Sequence, residues 1–421
     1  MQSDFSYLYR LLIIKMKYPT HQLPNGIRLI HKGSYSPIAH CGLLINSGSR
    51  DELDDEHGIA HLIEHLIFKG TKKRKAFHVL SRLEDVGGEL NAFTTKEDTC
   101  ITAAFLTDYY DRTFELISDI VFNSTFPENE MEKEKGVVID EINSYKDSPS
   151  ELIFDEFEKM IFKGNAIGRQ ILGTPYNVNR FSRKDIRKFI RRHYTPEEMV
   201  ISSVGDIRFG KLKYLFTKYF SAYPYEKAKK RRKPVKGYKP SKHRLNKDTH
   251  QAHCIIGNIA YNNYDPKKNI LYLLNNVLGG PCLNSRLSLS IRERNGLTYD
   301  IESNFNPYSD TGVFTIYFGT DKENLDKTIS LVLKEMKRLR TEKLGTLQLS
   351  RAHKQLIGQV AISWESQESQ MLNIGKSLLL NDRIDSMKDI IRKVENITAE
   401  QLIDVANEIL DEKSMSQLVY Y

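Results

Sequence analysis

His61, Glu64 and His65, within His61-Leu62-Ile63-Glu64-His65, are of the residue types and spacing that can hold a metal and activate water on it. They lie in residues 56–69, a stretch with helical apolar spacing. On a helix, positions i and i+4 share a face with Cβ atoms about 6 Å apart, so two imidazoles there can grip one Zn²⁺. Glu64, three residues from His61, points to the same side, where a carboxylate can take a proton from metal-bound water. Taken alone, the pattern leaves a second reading open, a helix whose histidines are satisfied by local hydrogen bonds.

A zinc site that works on water needs a third protein ligand and a free fourth position. The acid-rich segment Glu128–Lys146 is the natural source. Glu134 and Glu141 are seven apart and share a helical face. Glu141 follows the apolar run Val137-Val138-Ile139 and precedes Ile142, so this region packs inward and a glutamate there needs a cation. Glu130 and Glu132 read as a solvated face.

The elements that position these residues belong to a chain of 421 residues, 40% hydrophobic and 28% charged, an ordinary soluble composition with room for several domains. Cys41, Cys100, Cys254 and Cys282 form no CxxC pair, which excludes a cysteine zinc knuckle and points to buried free thiols in a reducing compartment. No apolar run approaches the roughly 20 residues that span a bilayer. Leu11-Leu12-Ile13-Ile14 is too short for a signal peptide, so a cytoplasmic protein without membrane association is expected, with Met16 as an alternative start. The formal net charge is +8, yet residues 227–247 hold eleven Lys or Arg and no acid, and without them the rest would stand at −3. Such a run can bind nucleic acid, but no stacking aromatics accompany it, so it reads as a solvated connector and nucleic acid is not an expected partner.

That connector, also marked by Pro224, Pro234, Gly237 and Pro240, separates residues 1–222 from 249–421, with 223–248 as the linker. In the first half, residues 26–32, 39–46, 98–105 and 199–205 alternate as strands do, among helix-like stretches at 56–69, 76–87, 109–123, 128–148 and 150–163. In the second, strands at 252–260, 299–306 and 312–320 accompany helices at 266–278, 284–293, 323–341 and 346–363. The order predicts an α+β fold of two tandem homologous domains, each a mostly antiparallel sheet with helices packed on one face.

Three segments, HGIAHLIEHLIFKGTKKR, GGELNAFTTKEDT and EKEKGVVIDEI, resemble the pitrilysin and insulin-degrading-enzyme family of inverted-motif zinc peptidases, closest to the mitochondrial processing peptidase subfamily and its bacterial relatives. The likeness continues through GRQILGT at 168–174 and the GG…SRL…GLTY pattern across residues 279–299. It implies one zinc per chain, held by His61, His65 and Glu141, with Glu64 as general base and Glu134 as a supporting glutamate. It assigns Asn91, Ala92 and Phe93 to an edge strand that pairs with the substrate backbone, and Arg292 and Tyr299 to the family's arginine–tyrosine pair, the tyrosine serving the oxyanion. It further implies half of a clamshell, closed by a partner chain. Some relatives pair an active subunit with an inactive one; with both the zinc motif and the Arg–Tyr pair in one polypeptide, a homodimer is the simpler reading, in which Arg292 and Tyr299 act across the interface on peptide substrates. The hinge is unusually basic for the family, and the first 15 residues have no family counterpart.

Two other readings stand beside a zinc endopeptidase of unfolded peptides or presequence-like segments. One is a non-catalytic scaffold or partner subunit of the same fold, which would have no need of His61, Glu64, His65 and Glu141 together. The other is nucleic-acid binding through residues 227–247, which would show as salt-dependent affinity.

Overall fold

The computed structural model describes residues 18–225, 232–381 and 384–421. Met16 and residues 227–231 of the basic segment lie outside them. Strands β1 (Thr20–Gln22), β2 (Arg28–Gly33), β3 (Ile38–Ile45), β4 (Glu89–Thr94), β5 (Thr99–Leu106) and β6 (Met199–Gly205) form one sheet in the order β1-β2-β6-β3-β5-β4. Strands β7 (Lys242–Leu245), β8 (Ala252–Ala260), β9 (Ile301–Pro307), β10 (Gly312–Thr320) and β11 (Ser416–Tyr420) form another, in the order β7-β11-β8-β10-β9. Counted from β2 and from β7, the two orders are identical. In each, the fifth strand inserts between the first and second and runs parallel to the first, while the other pairs are antiparallel. This shared topology is what a tandem duplication produces, and the α+β class with mostly antiparallel sheets is as expected.

Each sheet carries its main helical layer on one face. In the first, Leu29, Leu43, Ile101 and Ile201 meet Leu62, Ile63, Phe114, Ile117 and Phe216 from the helices. In the second, Ile256, Phe314 and Ile316 meet Leu271, Val332, Met336 and Val405. Beyond the expectation, the opposite face of each sheet also bears a helix, and that helix comes from a distant part of the sequence. Met371, Ile374 and Leu378 of helix Gln367–Asn381 cover Ile30, Leu44 and Val200 of the first sheet. Ile153, Phe157 and Ile161 of helix Pro149–Ile161 cover Ile255, Leu418 and Tyr420 of the second. β6 is accordingly buried at all seven positions, and the buried hydroxyl of Ser202 is satisfied by donating to the Met371 carbonyl at 2.6 Å.

The compact units therefore interleave along the chain, where halves at 1–222 and 249–421 were expected. Of the described residues, the first takes those up to 143 and those within 169–232 and 361–388; the second takes those within 144–168, 233–360 and 389–421. The cause is the apolar stripe of each exchanged helix, which is buried only on the sheet it serves.

The described part of the basic segment also differs from a solvated connector. Arg232 is held in the first unit by Asp51 at 3.0 Å and Glu97 at 3.1 Å, with Arg50 on Glu97 at 2.7 Å. Lys242–Leu245 forms β7 of the second sheet. Its four residues are all exposed, so apolar alternation could not announce it. The four cysteines are free; Cys41, Cys100 and Cys254 are buried and Cys282 is half-buried. Among the described residues no helix is long and apolar enough to cross a membrane.

Candidate metal centre

The motif helix, Ile59–Leu66, is anchored at its start by residues distant in sequence. Its N-cap, Gly58, has φ of +96°, and Gly173 has φ of +80°. The two backbones meet so closely that a Cβ on Gly58 would lie 2.7 Å from the Gly173 Cα, and one on Gly173 would lie 2.5 Å from the Gly58 Cα. Only glycine suits both the left-handed backbone and the approach. The Glu52 carboxylate accepts from the N–H groups of Gly58 and Ala60, at 3.0 Å each, filling donors that a helix start leaves unpaired. Burial nevertheless pushes the Glu52 carboxyl up to about 8. His57 Nε2 lies 2.8 Å from the Gln170 carbonyl oxygen, so the 169–174 segment braces the start of the motif helix at two points.

One turn on, both motif histidines face the long helix Glu128–Lys146. The rings of His61 and His65 stand 4.7 Å apart at 70°. His61 Nε2 is 3.7 Å and His65 Nε2 is 3.6 Å from the same oxygen, Oε2 of Glu141. These distances are too long for hydrogen bonds. They match the ligand–ligand edge of a tetrahedral zinc site with bonds of about 2.1 Å, an edge of roughly 3.4 Å. Among the described residues this trio is the group of His, Cys, Asp or Glu able to hold a metal ion, its donor atoms all within 4.8 Å of one another. Burial, aided by the neighbouring His65, lowers the His61 imidazole to about 4, which keeps it in the neutral form that ligates. Two imidazole nitrogens and a carboxylate oxygen thus fit zinc in type and spacing.

Glu134, one turn pair before Glu141, stands behind the trio. Its Oε2 lies 3.2 Å from His65 Nδ1, and its Oε1 pairs with Lys69 Nζ at 2.8 Å. With Nδ1 occupied in this way, Nε2 of His65 is directed to Glu141. Glu64 lies on the same helical face. Burial raises its carboxyl and Glu141 adds to the rise, partly offset by nearby Thr94 and His65. Its Oε2 is buried without a hydrogen-bond partner.

Thr94 ends β4, the edge strand of the first sheet, which pairs with β5 on one side only. Asn91 is exposed, Ala92 is 8% exposed and Phe93 half-buried, with Lys376 Nζ 5.9 Å from the Phe93 ring. Arg292 and Tyr299 belong to the second unit. Arg292 sits in a π-helical turn, Ser288–Glu293, a form that recurs at functional sites, and pairs with the neighbouring Glu293 at 3.5 Å. Tyr299 is 89% exposed. Lys69, Thr94, Glu52 and Gly173 went unassigned from the sequence. Lys69 alone was within reach there, lying four residues after His65 inside the stretch 56–69 expected to be helical, although the helix itself ends at Leu66.

The chain is similar to known proteins over most of its length. The family model for insulinase (peptidase family M16) matches residues 28–175, and that for the peptidase M16 inactive domain matches 180–356. An uncharacterized zinc protease of Bacillus subtilis, YmxG, is 32% identical over 390 residues, covering 92% of this chain and 94% of its own. One from Rickettsia bellii is 31% identical, covering 96% and 98%. The crystal structure of a peptidase M16 inactive domain from Pseudomonas fluorescens superposes with a TM-score of 0.90 at 20% identity, over 96% of this chain and 98% of that one. A protease from Helicobacter pylori does so with a TM-score of 0.88 at 22% identity, over 96% and 99%. These two likenesses are of fold.

Proposed function

The chain belongs to the insulinase family of peptidases, peptidase family M16, and on that premise we propose that it is a zinc-dependent endopeptidase of unfolded peptides or presequence-like segments. The observation that carries the reading is the meeting of His61, His65 and Glu141 with a buried carboxyl, Glu64, on the same helix. The names of its relatives, zinc proteases, support the metal.

His61, His65 and Glu141 would hold the ion, one per chain. When bound, zinc supplies a Lewis acid that polarises the scissile carbonyl and brings the pKa of water near neutrality. The chain's own part is proton handling and placement. Glu64 Oε2, with no hydrogen-bond partner among the described residues, takes the proton of the attacking water and returns it to the leaving amine. Burial strengthens its hold on that proton between the two steps. The open edge of β4 at Asn91, Ala92 and Phe93 offers N–H and C=O groups to an extended substrate backbone. The second copy of a homodimer closes the chamber, and its Arg292 and Tyr299 reach the substrate carbonyl and the developing oxyanion. The four free cysteines support a cytoplasmic location.

The test is Glu64→Gln. Peptide cleavage followed by mass spectrometry should fall by about 10²–10⁴-fold, while metal analysis still finds zinc in both proteins. Cleavage at the wild-type rate, or folded wild type without zinc, would refute the reading.

A further inference from the structure

β7 is unlike the other edge strands. It lies within the basic segment, and all four of its residues are exposed. Its partner β11 bonds to alternate residues: Gln417 N–H donates to Ser241 O at 2.9 Å, Tyr421 N–H to Leu245 O at 3.1 Å, and Lys247 N–H to Tyr421 O at 3.1 Å. In a strand, the N–H and C=O of one residue point to the same side, so the backbone groups of Lys242 and Arg244 are directed away from β11. Among the described residues they form a short unpaired ladder at the border of the second sheet.

Beside this edge runs a groove of about 1060 Å³ between β7, helix Leu325–Thr341 and residues 410–415. Its floor is apolar, with half-buried Leu333 lying over the core side chains of Met336, Leu410 and Met415. Its rim is basic. Arg340 is neutralised by Asp411 at 3.0 Å and Lys242 by Glu412 at 3.8 Å. Lys334, Lys337 and Lys413 line the same groove and form no ion pair among the described residues. Lysine on an edge strand commonly guards against pairing with another copy of the same chain. Guarding alone does not call for an apolar trough with unpaired cations along its rim. Together they form a surface that rejects basic strands and complements an acidic one.

We propose that this groove docks an extended acidic peptide segment, which adds to the free edge of β7 and sets its carboxylates against Lys334, Lys337 and Lys413. The backbone ladder supplies affinity and the lysines select the sequence. A nucleic acid is disfavoured because no aromatic side chain lines the groove to stack a base. The docking surface stands on its own observations and does not depend on peptidase activity.

Fluorescence anisotropy of a labelled peptide of alternating Glu and Val, added to the full-length protein, tests it. The peptide should bind and weaken with salt, and the Lys334→Glu/Lys337→Glu/Lys413→Glu variant should lose about tenfold or more in affinity. Arg244→Pro removes an outward N–H without touching the ladder to β11, whereas Arg244→Ala keeps it. The proline variant should bind several-fold more weakly than the alanine variant at unchanged melting temperature. If the triple variant does not fold, the two Arg244 variants still decide. No binding, equal binding by the proline and alanine variants, or tighter binding of a single-stranded oligonucleotide or of anionic lipid vesicles than of the peptide would overturn the proposal.

Discussion

His65 Nδ1 lies 3.2 Å from Glu134 Oε2, and the other oxygen of that glutamate is held by Lys69 at 2.8 Å. The contact decides which ring nitrogen remains for a metal. A carboxylate on Nδ1 fixes the tautomer with Nε2 free and locks the ring towards Glu141. Glu134→Gln should therefore leave the fold intact and weaken zinc binding by about 10–100-fold, measured by competition with a chromogenic chelator. Undiminished affinity would reduce Glu134 to a partner of Lys69.

The two glycines at the start of the motif helix predict opposite behaviour from a third. Gly173→Ala would drive a methyl into the Gly58 backbone at a φ unsuited to alanine. It should cost about 1–3 kcal/mol in urea unfolding and lower zinc affinity, because the backbone shift reaches His61. Gly136, inside helix Glu128–Lys146, has open space where its Cβ would go and no positive φ. Gly136→Ala should add about 0.5–1 kcal/mol. A destabilised Gly136→Ala together with an unaffected Gly173→Ala would contradict this account of the helix start.

How far the centre could be read from residues alone depends on the range of each signal. His61, Glu64 and His65 sit within one helical turn, where spacing dictates a common face, and they were legible as a site. Glu141 lies in another helix; its apolar flanks marked it, with Glu134, as a candidate, and likeness to a family assigned it the ligand. Gly173 carried no local signal, since its need for glycine arises from contact with Gly58, 115 residues earlier. The sheets were legible in class and in most strands. The covering by helices Gln367–Asn381 and Pro149–Ile161 was not, because an apolar stripe announces burial without naming the surface that buries it. β7 failed for the opposite reason, having no buried face to announce.

Glu52 links the helix start to pH. Its folded-state carboxyl is pushed by burial from the ordinary 4.5 up to about 8, so the folded protein keeps a proton that the unfolded chain has released. The stability this contributes is fully present below about pH 4.5 and is lost as pH rises through 8. Glu52→Gln removes the titration. The stability of the wild type relative to Glu52→Gln should fall between pH 5 and 8 by roughly 1 kcal/mol per unit, read from urea midpoints at matched ionic strength. A difference that stays flat with pH would mean that the Gly58 and Ala60 N–H groups keep the carboxylate ionised in spite of burial.

Tyr299 offers the sharpest test of the proposed dimer. Its side chain is 89% exposed, and Arg292, seven residues earlier, is half-buried. If Tyr299 completes the site of a partner, a Glu64→Gln chain has a sound tyrosine but no base, and a Tyr299→Phe chain has a sound base but no tyrosine for its partner. Each homodimer is defective at both sites. In a heterodimer, one site takes Glu64 from the second chain and Tyr299 from the first and is whole, while the other carries both defects. Random exchange between equal amounts makes half the dimers mixed, so cleavage should recover to about a quarter of the wild-type rate. Unmixed controls should stay near zero, and recovery should follow the time course of subunit exchange. Action within one chain leaves every site with a defect, so mixed samples that never rise above the two controls would rule out a tyrosine supplied by the partner.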